Sequence, residues 1–411
     1  MKLCMITSEY PPKWGGVGVV SYYLSTWMAR MGHEVHVVTR EQKIGYSSSH
    51  KNISIHPVPW LKAPMMFTLS FGRNAFKWMM SSNIDFDLIH VHSNMALLPA
   101  GYYQMTERPI VSTMYGTWKG ERSTISFKDL SPSIASINDL AIMTISPFFD
   151  KYEDYAIERS NGVIAISDAE GRALNRRGTK NMYGRRIVLP PGIDIEEFHP
   201  NKFDPELKRR YGIPEKNQLV SSVGRFAARK GIRELIESFR YMHKERKDIT
   251  FMLVGWGPLE KEIRRKAKKY GMENALKIVR SPPHEEMQKI VATSDIAMFH
   301  SYWEGFGLTF GEALSSCTPI VSTRVGGAPE LCPEGTGILV EVGDVKGQAS
   351  AGLDLLSRDD LDEWGRRGRE HIEGYCAWSK IARRTEAFYR WVVDDPENRG
   401  EWKKGFDKRS W

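Results

Sequence analysis

No long hydrophobic segment occurs in this sequence of 411 residues. No apolar run approaches the roughly 18 residues that a transmembrane helix needs, and the apolar residues 3–6 are too few for the core of a secretory signal. Hydrophobic residues make up 41% of the chain and charged residues 26%, a balance typical of globular proteins. We therefore expect a cytoplasmic location.

Cysteine is scarce, and its spacing carries no motif. None of the four cysteines belongs to a Cys-x-x-Cys pair, which argues against a zinc site or a dithiol redox centre. We expect reduced, mostly buried thiols. These residues are Cys4, Cys317, Cys332 and Cys376.

Charge of one sign forms no long block. The net charge of +8 is spread along the chain, and the short basic cluster 264–269 lies on a helical pattern that predicts a solvated face. We therefore expect no nucleic-acid partner. A mildly basic surface is compatible with phosphorylated ligands and with peripheral contact with an anionic membrane, which would place the protein at the inner membrane face.

The glycines near the amino terminus do not complete a dinucleotide-binding fingerprint. A short strand, a glycine-rich loop, a helix to about Met31 and a second strand at 34–39 predict a βαβ unit. The third glycine position of the fingerprint is Ser21, and the second strand ends in Thr39-Arg40 without an acid. The fingerprint fails on both counts, which leaves an NADP-dependent oxidoreductase as a weak alternative.

Strand and helix patterns alternate through the chain in two runs. The first ends near Pro190-Pro191-Gly192, which suits a hinge. Such alternation predicts an α/β protein with two Rossmann-like doubly wound domains facing a central cleft. We assign residues 1–194 to the N-terminal domain and 195–377 to the C-terminal domain. Predicted strands include residues 85–93, 110–118, 161–167, 218–226, 249–257, 276–279, 295–299 and 319–323, and predicted helices include residues 231–242 and a helix with Pro258 in its first turn.

The segment 60–80 is rich in Met, Trp and Phe and allows two interpretations. A pair of helices packing on the core is one. An apolar surface for a lipid-like ligand is the other, because exposed patches of this composition usually mark binding.

Residues 300–330 contain the pattern of an anion site. A buried strand is followed by a glycine-interrupted turn and a helical pattern from about Leu308 to Ser316. The free N–H groups near Gly307, Leu308 and Thr309 would point at whatever lies above the strand. A strand followed by a solvated amphipathic helix is the alternative.

Charged side chains flank this pattern. Glu304 and Glu312 bracket the turn, and with a loop over the first half of their separation both can face one ligand. In GRFAARKG, Arg225 and Lys230 lie between a buried strand and a helix, where two cations can neutralise charge developing on a leaving phosphate.

Three residues of the N-terminal domain are candidates for contact with a ligand. In an open parallel sheet the carboxyl ends of the strands face the ligand crevice, and His92, Tyr115 and Gly116 lie at such ends. His90, inside the strand, is expected to be a satisfied core group.

Several motifs together cover nearly the whole chain. They are Pro11-Pro12 with Gly15-Gly16, GHEVHVVT (32–39), VIAISDAE (163–170), VLPPGID (188–194), GRFAARKG (224–231), VGWGP (254–258), and Glu304 and Glu312 followed by PIVSTRVGGAPEL (319–331). The combination resembles the retaining nucleotide-sugar glycosyltransferases with the GT-B fold, the family 4-like group that includes glycogen synthases, sucrose synthases and bacterial lipid mannosyltransferases.

The resemblance implies a reaction. A hexose-type sugar would pass from a nucleotide diphosphate sugar to a hydroxyl of a glycan, a lipid-linked or a small-molecule acceptor. Arg225 and Lys230 would stabilise the departing diphosphate, and front-face displacement would retain the anomeric configuration. No metal and no other cofactor is expected, since two cations already neutralise the phosphates and no cluster of metal ligands is apparent.

The resemblance also implies donor contacts. Glu304 and the amides of Gly305, Phe306 and Gly307 would hold sugar hydroxyls. The amides of Leu308 and Thr309 would contact phosphate, and Glu312 the ribose. Gly224 and, on the N-terminal domain, Gly16 would belong to the donor site, Gly16 by letting the backbone approach the diphosphate. A final helix, residues 378–395, would cross back onto the N-terminal domain, leaving 396–411 as a peripheral tail.

Two positions depart from the family pattern. Many relatives carry histidine where Tyr115 stands, so the identity of the sugar stays open. The loop 13–17 resembles the lysine-glycine loop of glycogen synthases, but Gly18 and Val19 do not continue it. Two further alternatives are a non-catalytic nucleotide-sugar sensor, which would be expected to have degraded site residues, and a sugar-nucleotide epimerase, whose motifs fit less well.

Overall fold

A computed structural model describes residues 1–12, 15–43, 46, 48–62, 66–92, 106–116, 118–122, 134–176 and 185–395. The chain divides into two compact units. Unit 1 comprises residues 1–192 and the segment from Trp378 onward, and unit 2 comprises Ile193–Ala377. The change of unit at Gly192 lies in the Pro-Pro-Gly segment where the sequence predicts a hinge.

Unit 1 is built on a parallel sheet with strand order β3-β2-β1-β4-β5-β6-β7. The strands β1 and β4 are buried along almost their whole length, as expected for a sheet covered by helices on both faces. Sequence analysis missed β3, an edge strand. Pro57 lies within it, and proline is tolerated in a strand mainly at an edge. The strands are β1 Lys2–Thr7, β2 Glu34–Arg40, β3 Ile53–Val58, β4 Leu88–His92, β5 Ile110–Met114, β6 Gly162–Ala165 and β7 Arg186–Val188.

Helices connect these strands. Ser167 caps the amino terminus of one of them, because its Oγ accepts a hydrogen bond from the Glu170 N–H at 3.2 Å. The helices are α1 Gly16–Arg30, α2 Met66–Ser81, α3 Trp118–Arg122, α4 Ile134–Arg159 and α5 Asp168–Arg176.

The Met-, Trp- and Phe-rich segment contains one described helix, α2, and the predicted pair of helices is wrong for its described residues. Residues 60–62 precede α2 without regular structure. The side chains of Phe71 and Phe76 are fully buried in the core of unit 1. This side of the helix therefore packs on the core, as the first of the two interpretations expects. Leu61 and Met80 are 59% and 51% exposed.

Unit 2 repeats the architecture with strand order β10-β9-β8-β11-β12-β13, again parallel. This is the order of a doubly wound nucleotide-binding sheet. The predicted helix after the second strand begins at Glu260, so Pro258 lies before its first turn and not in it. The strands are β8 Gln218–Val223, β9 Ile249–Val254, β10 Leu276–Val279, β11 Ile296–Phe299, β12 Ile320–Thr323 and β13 Gly337–Val340.

Helices of unit 2 include short 3-10 turns at Pro200–Lys202 and Ala228–Lys230. The α-helices are α6 Leu207–Arg210, α7 Ile232–Glu245, α8 Glu260–Lys269, α9 His284–Thr293, α10 Leu308–Ser315, α11 Ala328–Leu331, α12 Val345–Leu356 and α13 Leu361–Tyr375. The predicted α/β class with two Rossmann-like domains is confirmed.

The last described helix, α14 Trp378–Asp394, belongs to unit 1. Its Trp378 ring stacks on Tyr23 with centroids 5.8 Å apart, and a Cβ on Gly192 would meet that indole at 2.2 Å. Tyr389 forms a buried hydrogen bond with Nδ1 of His90. Among the described helices, none is long and apolar enough to cross a membrane.

Candidate functional site

The predicted donor residues of unit 2 lie at the point where its strand order reverses. The strands β8 and β11 are neighbours, and their connections leave in opposite directions along the sheet. In open parallel sheets ligands bind outside the carboxyl ends of such a strand pair. The loop 224–231 follows β8 and the loop 300–307 follows β11, so both predicted motifs start at this edge.

Gly231 brings these two loops into contact. Its φ is +57°, and a Cβ at this position would meet the carbonyl oxygen of His300 at 1.7 Å. The Tyr302 N–H also donates to the carbonyl of Arg229 at 2.9 Å. Only glycine allows both the left-handed conformation and this close approach.

Lys230 and Glu304 form an ion pair at the junction of the loops. The Lys230 ammonium donates to Oε1 of Glu304, and Ser301 Oγ donates to the same oxygen at 2.7 Å. The two side chains are 26% and 11% exposed, so both remain accessible on one side. The arrangement holds a cation and a carboxylate in fixed positions at the edge of the sheet.

The loop after β12 packs against the backbone of Glu304. Gly326 has φ +52°, and a Cβ there would meet the carbonyl oxygen of Glu304 at 2.0 Å. Thr323 Oγ1 donates to the Ser301 carbonyl at 2.6 Å. Sequence analysis assigned no role to this loop. The available signal was the adjacent pair Gly326-Gly327, which two residues separate from the end of β12, since glycine often marks close approach of two backbone segments.

Arg225 is exposed and takes no part in the Lys230–Glu304 ion pair. Its guanidinium is 5.5 Å from the ring centroid of Trp256, a 54% exposed side chain, and within the described residues it forms no ion pair. The Phe226 N–H donates to the Trp256 carbonyl at 2.9 Å, and a Cβ on Gly255 would meet the carbonyl oxygen of Gly224 at 2.0 Å. The backbone thus fixes Trp256, which sequence analysis overlooked, beneath Arg225.

The amino terminus of α10 lies in the same loop region as Glu304. Gly307 precedes the helix with φ +100°, and the N–H groups of Leu308 and Thr309 have no hydrogen-bond partner in the described part of the chain. The Phe306 side chain is buried and packs on Gly327, so Phe306 can offer only its backbone. Unpaired amides at the positive end of the helix dipole favour an anion.

Glu312 lies in the second turn of α10 and keeps part of its surface accessible. Burial of its carboxyl raises its pKa to about 7, while His284 lowers and Glu197 raises it. His284 Nε2 lies 2.9 Å from Glu197 Oε2, and this contact, with the nearby Glu312, raises the pKa of His284. Sequence analysis did not find Glu197 and His284, because 87 residues separate them.

In unit 1, His92 ends β4 fully buried. Its Nδ1 is 2.8 Å from the hydroxyl of Tyr115, and its Nε2 has no partner among the described residues. Burial lowers the pKa of His92 to about 3, so the ring is neutral. His90, as expected, is a satisfied core group, bonded to Thr113 Oγ1 at 2.7 Å and to Tyr389.

The remaining predicted residues of unit 1 are placed as follows. Gly16 is the first residue of α1, and the preceding Gly15 N–H donates to Glu9 Oε2 at 2.8 Å. Gly116 has φ +150° directly after Tyr115. Lys13 and Trp14 of the predicted lysine-glycine loop lie outside the described residues.

Metal ligands are not clustered in the described ranges. No group of three or more His, Cys, Asp or Glu side chains there could hold a metal ion. Two acids near Glu312 have other partners. Glu197 contacts His284, and Asp194 accepts hydrogen bonds from the N–H groups of Glu196 and Glu197.

Two family profiles match the chain. Residues 203–371 match "Glycosyl transferases group 1" and residues 14–197 match "Glycosyltransferase Family 4". The chain belongs to the family 4-like glycosyltransferases. It is 26% identical over 408 residues to N-acetyl-alpha-D-glucosaminyl L-malate synthase of Bacillus anthracis, covering 97% of this chain and 99% of that protein.

Solved structures support the GT-B fold of this glycosyltransferase. Sucrose-phosphate synthase from Thermosynechococcus elongatus superposes with a TM-score of 0.77 at 21% identity, covering 96% of this chain and 99% of the other. HepE of Anabaena, solved in complex with UDP, superposes with a TM-score of 0.71 at 19% identity, covering 95% and 100%. The resemblance to a GT-B glycosyltransferase is thereby confirmed.

Proposed function

We propose that this glycosyltransferase transfers a hexose-type sugar from a nucleotide diphosphate sugar to an acceptor hydroxyl with retention of configuration. The observation that carries the proposal is the Lys230–Glu304 ion pair next to the unpaired amides of Leu308 and Thr309. A fixed ammonium and a helix amino terminus bind a diphosphate, and a neighbouring carboxylate accepts hydrogen bonds from sugar hydroxyls.

Each group has a defined role in the proposed step. The bond between the anomeric carbon and the diphosphate breaks, and its electron pair leaves with the diphosphate. Three groups stabilise that negative charge: the Lys230 ammonium, the backbone amides at the start of α10, and the Arg225 guanidinium, which lies near Trp256. The acceptor oxygen bonds to the anomeric carbon on the same face, and its proton passes to the departing diphosphate. The charge balance needs no added metal, so we propose transfer without a cofactor.

Donor recognition belongs to unit 2 in this proposal. Glu312 accepts hydrogen bonds from the ribose hydroxyls, and Glu304 from the sugar. The UDP complex of the HepE structure is consistent with a nucleoside diphosphate as the leaving group. We assign the acceptor, a glycan, a lipid-linked sugar or a small molecule, to unit 1, with Tyr115 and Gly116 as the residues nearest to it. The proposed location is cytoplasmic, at the inner membrane face for a lipid-linked acceptor.

Thermal unfolding in the presence of a panel of nucleoside diphosphates and nucleotide sugars tests the donor assignment. A ligand that binds only the folded state raises the melting temperature by mass action. We expect one nucleotide to stand out, and to lose its effect in Lys230→Ala. A panel without any shift would refute the donor site.

The reaction itself is tested with the donor so identified. Proton NMR of the product formed in a chelator-containing buffer reports the anomeric configuration and any metal requirement. We expect retention and full turnover. An inverted product would refute front-face displacement, loss of turnover that returns with added divalent cation would refute cofactor-free transfer, and donor binding without transfer to any acceptor would indicate a nucleotide-sugar sensor.

A further inference from the structure

The even spread of charge along the chain conceals one local asymmetry. Residues 42–84, between Glu41 and Asp85, contain no Asp or Glu at all. This segment therefore carries five formal positive charges of the chain's net +8. Those five bases are Lys43, Lys51, Lys62, Arg73 and Lys77.

The structure exposes all five of these bases. The segment supplies β3, at the edge of the unit 1 sheet, and α2. None of the five forms an ion pair with a described residue, and all have exposed side chains. On α8 of unit 2, by contrast, acids lie among the bases, and part of the positive charge is paired: Arg264 pairs with Glu260 and Lys266 with Glu237. The unit 1 segment thus presents positive charge that the fold does not neutralise.

The helix α2 has two distinct sides. Phe71, Ala75 and Phe76 are fully buried. Arg73, Lys77 and Met80 are exposed, and at spacings of four and three they lie on one side of the helix. The solvent side of α2 therefore combines two cations with an apolar side chain.

The residues before α2 lie along the helix, since the Leu61 N–H donates to Ser70 Oγ at 2.9 Å and Asn74 Nδ2 donates to the Pro59 carbonyl at 2.9 Å. Leu61 is 59% exposed, more than Met80 at 51%, and Lys62 follows it. Two cations lie near the Trp60 ring, with the Arg40 guanidinium 4.9 Å and the Lys62 ammonium 5.8 Å from its centroid. Tryptophan is enriched at membrane interfaces, and Lys and Arg side chains are favoured there too.

We propose that Leu61, Lys62, Arg73, Lys77 and Met80, here called the α2 face, dock on an anionic lipid bilayer. The bases would bind lipid phosphates, and Leu61 and Met80 would enter the headgroup region. An anionic glycan or a nucleic acid would use the charges but gain little from two exposed aliphatic side chains. The inference rests on the proposed function in one respect, the expectation that the acceptor lies in a membrane. Binding to a bilayer can be measured without any sugar transfer.

Flotation of the full chain with lipid vesicles tests the electrostatic part. We expect binding to vesicles of equal parts phosphatidylglycerol and phosphatidylcholine, and none to phosphatidylcholine alone. Each Lys or Arg near an anionic surface raises affinity about fivefold, so the triple variant Lys62→Gln, Arg73→Gln, Lys77→Gln should bind about 100-fold more weakly.

A matched triple variant removes the same charge elsewhere. Lys261, Arg265 and Lys268 are exposed on α8, and their replacement by glutamine should leave vesicle binding unchanged. Equal loss of binding in the two triple variants would show that only net charge matters and would overturn the proposal, as would failure of the unaltered chain to float with anionic vesicles.

The apolar part has its own test. Leu61→Ser with Met80→Ser keeps every charge, and we expect at least a several-fold loss of vesicle affinity that persists at high salt, where charge is screened. Heparin and duplex DNA serve as soluble polyanions. If they bind as tightly as vesicles do and the serine variant is unaffected, the face is a polyanion site and the bilayer proposal is wrong. The α2-face variants should keep the nucleotide-induced rise in melting temperature, which separates failure of docking from failure of the donor site.

Discussion

Lys230 and Glu304, 74 residues apart in sequence, form an ion pair, and Ser301 donates a hydrogen bond to the same carboxylate oxygen. Both charged side chains are held at the carboxyl ends of adjacent strands before any ligand arrives. A positive group and a negative group fixed side by side can receive two chemically different parts of one ligand, a phosphate and a sugar hydroxyl. Preorganisation of this kind lowers the cost of ordering the site during binding and reaction.

The first prediction concerns this pair. Lys230→Ala should lower kcat/KM for the donor about 100- to 1,000-fold, the range found when one donor to a developing negative charge is removed. Because the two side chains are 26% and 11% exposed, between the surface and the buried case, loss of the pair should lower the free energy of unfolding by about 1–3 kcal/mol. Steady-state kinetics and urea unfolding measure the two quantities. Lys244→Ala, at an exposed lysine of α7, is the control, and near-normal turnover in Lys230→Ala would remove Lys230 from the mechanism.

A second prediction follows from Glu312. Burial raises the pKa of Glu312 to about 7 in the folded protein, whereas a free glutamate side chain has a pKa of 4.5. As pH rises between these values the unfolded state releases the proton first, so the free energy of unfolding falls. Glu312→Gln lacks this titration. Its stability relative to the unaltered protein should rise across that window and level off above it.

Urea unfolding at several pH values measures this difference. The His284→Asn background separates the titration of Glu312 from that of its neighbour, and Glu334→Gln, at an exposed position, is the control. A difference that stays constant with pH would mean that the Glu312 carboxyl is ionised in the folded protein throughout.

A third prediction compares two glycines of similar backbone conformation. Gly231 and Gly212 have φ +57° and +60°, but a Cβ on Gly231 would meet the His300 carbonyl oxygen at 1.7 Å, whereas on Gly212 it would meet only Lys277 Nζ at 4.0 Å. Gly212→Ala should cost about 1 kcal/mol, the strain of the left-handed conformation. Gly231→Ala should cost roughly 2–4 kcal/mol and abolish the nucleotide-induced thermal shift. Equal effects would show that the two site loops tolerate separation.

The fourth prediction concerns Trp256. Its ring supports the Arg225 guanidinium from an exposed position, a contact of about 0.5–1 kcal/mol. Trp256→Ala should therefore raise the donor Kd about two- to fivefold, with little change in melting temperature, since the side chain is 54% exposed. Trp256→Phe retains a ring and should restore most of the affinity. Isothermal titration calorimetry with the donor measures both, and an unaltered Kd in Trp256→Ala would show that Arg225 needs no aromatic support.

Much of the fold was accessible from local patterns. The strands β9 and β11 are mostly apolar runs buried on both faces, and helices such as α7 carry a periodic apolar side, so both could be predicted without tertiary information. The edge strand β3 was missed because it is short, has no continuous apolar run and includes Pro57. The second predicted helix of the segment 60–80 was wrong because composition does not specify where a helix begins.

The sequence by itself determined the alternation of strands and helices, the family, and the identity of the charged residues, because each depends on short-range pattern or motif. Only the tertiary structure decided which of these charged residues contact one another. Lys230 reaches Glu304 because Gly231, which has no side chain, allows the β8 loop to contact the β11 loop. Arg225 lies near Trp256 because Gly255 allows the carbonyl oxygen of Gly224 to approach its backbone closely. Glu312 acquires its raised pKa from burial and from two residues of distant segments. Such contacts depend on strand order in the sheet, and strand order is a property of the folded chain that no local pattern contains.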